Sequence, residues 1–369
     1  MKEKVRVGII GTGGIAGAYA RAYHELEDLV EVVGLCDIVP DKAAAFGERF
    51  GFDKAKTFED HQKMLERLKL DAVSVSTYNT AHAGPTIDAL DAGLHVICEK
   101  PMSVTLDEAV SMAKAAKKNK RMLSIGFQTR YDPNVKALRD LVQSGILGDV
   151  YYVETGGGRR RGIPGKTFIS KEEAGFGAIA DIGCYPLDMA LNALGYPKPL
   201  TVSSYAADFM GKNPKYAVGP KGRNWDPAEF NVEDFGVALV RLEGGLVLNF
   251  KIAWSMHMDT LGPAMFLGTD AGLKATSDYV GPYGGGWGAI ASMELFHDIQ
   301  GHTTYSPIPV QERQRNVFTE KVRDFVANIQ RGGEAPIPGL QIVRNQAVID
   351  GILRSAQTGR EVSIDIPEI

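Results

Sequence analysis

Val5-Arg6-Val7-Gly8-Ile9-Ile10 runs directly into Gly11-Thr12-Gly13-Gly14-Ile15-Ala16, and this junction of a β-branched run with a glycine turn decides how the first third of the chain folds. The apolar run predicts a buried strand, while Ile15, Tyr19, Ala22, Tyr23 and Leu26 share one face of the helix expected after it. A tight turn needs Gly11, close approach of a pyrophosphate needs Gly13, and close helix-to-strand packing is allowed by the small Ala16. The segment therefore reads as a dinucleotide turn, with the first amides of the helix aimed at phosphate oxygens.

Working outward, the second predicted strand ends at Asp37, where an acidic side chain accepts hydrogen bonds from the adenosine ribose hydroxyls and repels a 2′-phosphate. Ile38 follows with no basic or hydroxyl group, so NAD is favoured over NADP; Arg6 and Lys42 are not placed by sequence alone. Strands predicted at 5–10, 30–36, 72–76, 95–98 and 122–125 alternate with helices at 15–26, 42–50, 60–69, 86–92 and 106–119. Such alternation requires crossovers and gives a parallel sheet covered on both faces. Residues 1–127 are expected to be an NAD(P)-binding Rossmann domain.

From residue 128 the pattern changes. Helices are predicted at 134–144 and 179–194, and strands at 150–155, 202–207, 235–242, 246–253 and 265–268, with Glu243-Gly244-Gly245 as a hairpin turn. Residues 128–369 thus read as an α+β domain, and helices near 317–330 and 343–357 are expected to pack on one face of its sheet. The glycine cluster 281–288 reads as one loop.

A chain of 369 residues accommodates two domains, each with its own core. Apolar and charged fractions of 44% and 23% and a net charge of −4 offer no broad field for nucleic acid. No apolar run is long enough to span a bilayer and no signal core follows Met1-Lys2-Glu3-Lys4, which makes the cytoplasm the expected compartment. Cys36, Cys98 and Cys184 lie far apart and read as buried free thiols, and the 7 histidines form no ligand-like cluster, so no metal is expected.

The strand at 95–98 carries Glu99-Lys100-Pro101 at its carboxyl end, where ligands of doubly wound sheets bind. The Lys100 ammonium can donate to a substrate hydroxyl, stabilise a forming alkoxide and lower the pKa of a neighbouring acid or phenol. Further on, Asp181-Ile182-Gly183-Cys184-Tyr185-Pro186-Leu187-Asp188 supplies a carboxylate and a phenol four residues apart, on one face if the helix starts there.

These landmarks, with Thr77-Tyr78-Asn79 followed by His82, Gly126-Phe127-Gln128-Thr129-Arg130-Tyr131 and Gly175-Phe176-Gly177, resemble the glucose-fructose oxidoreductase, inositol 2-dehydrogenase and rhizopine-catabolism (Gfo/Idh/MocA) family over essentially the whole chain. The resemblance implies a Rossmann domain followed by an α+β domain with a large, mainly antiparallel open sheet, through which many members form dimers or tetramers. It implies oxidation or reduction of hydroxyls on sugars and cyclic polyols with NAD(P). Thr77, Asn79, His82, Glu99, Lys100 and Gln128 would join Gly11, Thr12, Gly13, Gly14, Ile15, Ala16 and Asp37 at the cofactor, and Lys100, Asp181 and Tyr185 would do the chemistry.

The chain departs from the family pattern twice. Tyr78 replaces a common proline after Thr77, and Tyr185 stands where a histidine usually follows the aspartate. Tyr185, activated by Lys100, is the expected acceptor of the hydroxyl proton, with Asp181 orienting the substrate or Lys100; Lys100 itself or His257 are the alternatives. Around the substrate, Arg130 and one arginine of Arg159-Arg160-Arg161 are candidate contacts, Arg159 foremost, with Trp225 and Trp254 as possible stacking surfaces. Two other functions fit the same landmarks: an NAD-dependent glycosidase acting by transient oxidation and elimination, and a non-catalytic nucleotide or sugar sensor.

Overall fold

The computed structural model describes residues 3–218, 224–258, 264–277, 290–312 and 315–369; the glycine cluster 281–288 lies outside them. Two compact units form, one from residues 1–128, 314–343 and 367–369, the other from 129–313 and 344–366.

In the first unit, β1 (Val5–Ile10), β2 (Val30–Cys36), β3 (Lys56–Phe58), β4 (Ala72–Val75), β5 (His95–Cys98) and β6 (Leu123–Ile125) make a parallel sheet in the order β3-β2-β1-β4-β5-β6. The crossovers are α1 (Ala16–Glu25), α2 (Lys42–Phe50), α3 (His61–Arg67), α4 (Ala83–Asp91) and α5 (Leu106–Asn119). Strand order reverses between β1 and β4, and ligands of such sheets gather at that reversal. The doubly wound fold of the sequence reading is present, with β3 added. Its three residues are half-buried or exposed and carry too little pattern to signal a strand. Helix starts follow local chemistry: the Thr105 hydroxyl accepts from the Glu108 amide at 3.2 Å while the Glu108 carboxylate accepts from the Thr105 amide at 3.1 Å.

The second unit contains α6 (Pro133–Gln143), β7 (Val150–Gly156), α7 (Lys171–Ala174), α8 (Ala178–Asp181), α9 (Cys184–Ala193), β8 (Pro199–Ala207), β9 (Phe235–Leu242), β10 (Val247–Ala253), β11 (Ala264–Gly268), β12 (Ala271–Thr276), β13 (Ser292–Ile299) and β14 (His302–Ile308). With β15 (Val362–Ser363) they form a nine-stranded sheet in the order β14-β13-β12-β11-β7-β10-β9-β8-β15. Neighbours pair antiparallel except β7 with β10. The predicted hairpin joins β9 to β10, and Gly244 and Gly245 sit at φ 76° and 79°, a region costly for residues with a Cβ.

One face of this sheet meets α8 and α9, which pack on β7, β9, β10 and β11. Register places Tyr205, Leu239, Phe296 and Tyr305 on the other face, where they are exposed.

Two expectations are corrected. The helix predicted at 179–194 is broken into α8 and α9 across Ile182 and Gly183. Pro186 supplies no amide for the Ile182 carbonyl and its ring crowds that carbonyl, so the chain restarts its turn there. Asp181 and Tyr185 therefore flank a break rather than sharing one regular helix.

The second correction concerns α10 (Val317–Arg331), which packs not on the nine-stranded sheet but on α1 and β1 of the first unit. Val322, Phe325 and Val326 enter the same core as Val7, Ile9, Tyr19 and Tyr23. Its amphipathic pattern marks a buried face, but pattern alone cannot name the partner. The last helix, α11 (Gly339–Thr358), does engage the second unit as expected, where Ser204 donates through its amide to the Ser355 hydroxyl at 2.9 Å and through its own hydroxyl to the Ile352 carbonyl at 2.6 Å.

Candidate active site

The glycine turn follows β1 directly. Gly11 adopts φ +84°, and a Cβ there would stand 2.7 Å from the Thr77 amide nitrogen and 2.8 Å from the Ser76 carbonyl. That close approach brings the turn against the loop after β4. Gly13 and Gly14 have open space where a Cβ would project, Ile15 is 38% exposed, and Ala16 is fully buried at the start of α1. Free room above two glycines, at the first amides of a helix ten residues long, fits a pyrophosphate.

Asp37 completes this part of the site. Its Oδ2 accepts from the Thr12 amide at 2.9 Å and the Thr12 hydroxyl at 2.8 Å, and lies 2.9 Å from the Lys42 ammonium; its Oδ1 accepts from the Val39 amide at 3.1 Å. Burial alone would raise its pKa, but Lys42 and these donors hold the carboxyl below the ordinary aspartate value. A hollow lined by Asp37, Val39, Asp41, Ala43, Thr57 and Phe58 opens beside it. The arrangement suits an adenosine end.

At the loop after β4 the Thr77 hydroxyl donates to the Ala81 carbonyl at 2.8 Å, closing a short turn that begins at Asn79, while Tyr78 is 47% exposed. His82 is buried, with Nδ1 2.8 Å from the Pro101 carbonyl oxygen. Burial pushes its pKa down, which keeps the ring neutral. Its place in the structure is a clasp between the β4 and β5 loops rather than an open ligand.

Glu99, at the end of β5, is 3% exposed. Its Oε1 accepts from the Tyr19 hydroxyl at 2.8 Å and from the Lys321 ammonium at 2.8 Å, and its Oε2 from the Lys100 amide at 3.2 Å. Gly126 makes room for this carboxylate, since a Cβ there would lie 2.6 Å from Oε1. Burial would raise the Glu99 pKa, yet Lys321 and the Tyr19 hydroxyl bring it below the ordinary value. Lys100 is half-buried on the following residue, and Gln128 begins a short 3-10 turn just after β6.

In the second unit Asp181 ends α8, 8% exposed, and its Oδ2 accepts from the Trp254 indole at 3.1 Å. Trp254 is fully buried, so it positions the carboxylate and presents no face for stacking. Trp225 likewise spends its indole donor on the Gly211 carbonyl at 2.8 Å. Tyr185 is 5% exposed near the start of α9. The basic loop docks on the last residue of β10, just before Trp254: Arg159 donates through its amide to the Ala253 carbonyl at 3.2 Å and, within the loop, through Nη1 to the Gly162 carbonyl at 2.7 Å. His257 lies exposed beyond β10 at φ +56°, its ring 5.0 Å from that of Tyr216.

Arg130 sits in a different setting. Its guanidinium makes a paired contact with Asp188, Nε to Oδ2 at 2.9 Å and Nη2 to Oδ1 at 2.7 Å, and donates to the Tyr196 hydroxyl at 2.8 Å. Burial works against its charge, but Asp188 and Tyr196 more than restore it. This network ties the segment before α6 to α9.

Three contributors were missed or unplaced in the sequence: Lys321, Trp254 as a donor, and the Lys42 partner of Asp37. Lys321 carried the one legible signal, a lysine on the apolar face that also holds Phe318, Val322 and Phe325.

The family model described as an oxidoreductase family with an NAD-binding Rossmann fold, Gfo/Idh/MocA, matches residues 5–127, and the Gfo/Idh/MocA C-terminal domain matches residues 135–274. The chain belongs to the Gfo/Idh/MocA oxidoreductase family. It is similar to D-glucoside 3-dehydrogenase of Escherichia coli, 35% identical over 271 residues that span 73% of this chain and 76% of that protein. Glucose-6-phosphate 3-dehydrogenase of Bacillus subtilis is 31% identical over 188 residues, 50% of this chain and 52% of the relative. Among solved structures, aldose-aldose oxidoreductase from Caulobacter crescentus superposes with a TM-score of 0.77 at 25% identity, covering 98% of this chain and 100% of the other. As a Gfo/Idh/MocA member the protein is an oxidoreductase acting on CH–OH groups with a nicotinamide cofactor.

Among the described residues no helix is long and apolar enough to cross a membrane, and no group of three or more His, Cys, Asp and Glu side chains is arranged to hold a metal ion.

Proposed function

We propose that the protein is a dehydrogenase of a ring hydroxyl on a sugar, glycoside or cyclic polyol, using Lys100, Asp181 and Tyr185. The observation that carries this reading is the setting of Asp181, a carboxylate buried at a helix break and fixed by the Trp254 indole at 3.1 Å, four residues before a buried phenol. A sensor needs no such prepared acid. The similarity to a D-glucoside 3-dehydrogenase supports a pyranose-like substrate.

A nicotinamide dinucleotide held at the Gly11–Ala16 turn and Asp37 would supply the hydride acceptor for oxidation of the carbinol carbon. The chain's own part is proton handling and orientation. Lys100 donates to the substrate hydroxyl and stabilises negative charge on its oxygen, and Tyr185, acting as the phenolate that the Lys100 charge favours, takes the proton as the carbonyl forms. Asp181, held by Trp254, fixes the substrate's position. Arg159, on the loop docked beside Trp254, contributes to the pocket.

NAD is favoured over NADP because the Asp37 carboxylate would repel a 2′-phosphate, the adjacent Ile38 and Val39 are exposed and apolar, and the Lys42 ammonium is engaged by Asp37 itself. The exposed sheet face that carries Tyr205, Leu239, Phe296 and Tyr305 supports a homodimer or homotetramer. Sedimentation of a Leu239→Glu variant as a smaller species than the native chain checks this; an unchanged mass refutes that face as the interface. Three buried free cysteines suit a reducing cytoplasm.

The functional test is absorbance of reduced nicotinamide when the protein meets NAD or NADP and a panel of inositols, aldoses, anhydrosugars and glycosides. Multiple-turnover reduction with one polyol, abolished in Lys100→Ala and strongly reduced in Tyr185→Phe, is expected. Glycoside cleavage without net reduction would replace the dehydrogenase reading with a redox-assisted glycosidase.

A further inference from the structure

Lys321 is a fully buried cation far along the sequence from every motif that defines the family. It is 1% exposed, on the face of α10 that packs against α1 and β1. Its ammonium lies 2.8 Å from Glu99 Oε1 and 3.0 Å from the Tyr19 hydroxyl, and stands 4.2 Å and 4.5 Å from the ring centroids of Phe318 and Tyr19. Burying a charge this deeply is unfavourable unless an opposite charge and hydrogen bonds compensate it. Both are present: a carboxylate, a hydroxyl and two aromatic faces surround it.

Glu99 is the residue before Lys100, and its Oε2 already accepts from the Lys100 amide at 3.2 Å. The Lys100 charge also acts on this carboxylate, lowering the Glu99 pKa behind Lys321 and the Tyr19 hydroxyl, so both ammonium groups draw on one counter-ion. Gly126 fixes the carboxylate's position from the far side, with both oxygens within 3.0 Å of a Cβ that residue 126 lacks.

We propose that Lys321 is a positioning residue: as the resident counter-ion of Glu99 it neutralises that carboxylate, so that the Lys100 ammonium is presented to the substrate instead of being drawn back onto its neighbour. The proposal rests on the reading of Lys100 as the group that meets the substrate hydroxyl. The low Glu99 pKa, for which Lys321 is the main charged cause, agrees with this pairing, while burial works against the Lys321 charge and lowers its pKa.

The test reads Lys100 directly and so does not depend on finding a substrate. The full-length protein is labelled with an amine-reactive acylating reagent across a pH series, and the Lys100 peptide is quantified by mass spectrometry. In Lys321→Met, Glu99 recruits Lys100, and labelling of Lys100 near neutral pH falls roughly tenfold, the effect of one unit of pKa. Lys321→Arg keeps the charge and labels like the native protein. The Glu99→Gln/Lys321→Met double variant removes both charges and returns Lys100 labelling toward the native rate even if Lys321→Met alone folds poorly.

With an active substrate in hand, kcat/KM of Lys321→Met shifts its pH profile while that of Lys321→Arg does not. Unchanged Lys100 labelling in a folded Lys321→Met protein, or a double variant no closer to native than Lys321→Met, would overturn the proposal. A native protein that reduces no coenzyme with any sugar refutes the dehydrogenase reading alone, because the labelling result stands without it.

Discussion

Thr12 and Asp37 are joined twice, the Thr12 amide and hydroxyl both donating to Asp37 Oδ2 at 2.9 and 2.8 Å. The first residue after Gly11 thus fixes the carboxylate proposed to select the coenzyme. Lys42 is held on the same oxygen at 2.9 Å. Replacing Asp37 with Ala removes the repulsion toward a 2′-phosphate and releases a cation beside it. The NADP/NAD ratio of kcat/KM is expected to rise by about ten- to a hundredfold, the size of one charge-assisted hydrogen bond lost and gained. Steady-state kinetics with both coenzymes decides it, and an unaltered ratio removes Asp37 from selectivity.

Trp254 and Asp181 make a second prediction. Trp254→Phe keeps the buried ring while deleting the donor to Asp181 Oδ2. A hydrogen bond to a charged group contributes about 1.5–3 kcal/mol, so kcat is expected to fall by at least about tenfold. Coenzyme binding, followed by nicotinamide fluorescence, should be unaffected because the first unit is untouched. Full turnover in Trp254→Phe would mean that Asp181 needs no such anchor.

Arg130 was a candidate substrate contact, but its paired ion bond to Asp188 predicts a loss of stability when it is removed. Breaking one side of a buried pair costs about 3–5 kcal/mol, whereas replacing both partners by apolar residues costs far less. Urea unfolding should therefore show a large drop in midpoint for Arg130→Met and a clear recovery in Arg130→Met/Asp188→Leu. A stable Arg130→Met protein with a raised KM would return Arg130 to the substrate.

Asp234 provides the pH prediction. Burial raises its carboxyl to about 6, against the opposing pull of the Gly211 and Met210 amides, which donate to Oδ2 at 2.6 and 2.8 Å. A folded-state pKa above the unfolded one means that the native protein binds the extra proton. The contribution to stability is then full at about pH 4 or below and is lost as pH rises through about 6. Asp234→Asn, neutral throughout, should become more stable relative to the native chain as pH climbs across that window. Parallel melting temperatures for the two proteins from pH 4 to 7 would contradict the shift.

What the sequence determined was everything carried by neighbours along the chain. The β1 run, the glycine turn and Asp37 were legible because strand period, turn chemistry and a fixed crossover length act locally. The same holds for β2, β5, α2 and α5, whose observed limits coincide with those read from pattern, and for the β9–β10 hairpin with its two glycines. Glu99-Lys100-Pro101 and the Asp181 segment stand out as candidates in the sequence because the first follows a short buried strand and the second sets a carboxylate and a phenol four residues apart.

What only the tertiary structure decided were contacts between residues distant in sequence. The pattern of α10 announces a buried face without naming its partner, so its packing on α1 and β1, and with it Lys321 beneath Glu99, had to come from the fold. The break between α8 and α9 reflects a proline whose missing amide matters only once the turn is built. Trp254, a possible stacking surface by sequence, is fully buried and holds Asp181, and the guanidinium of Arg130, a candidate substrate contact, is paired with Asp188. A side chain's type limits which bonds it can make, but burial decides which partner satisfies it, because an unpaired polar group in the interior is too unfavourable to leave alone.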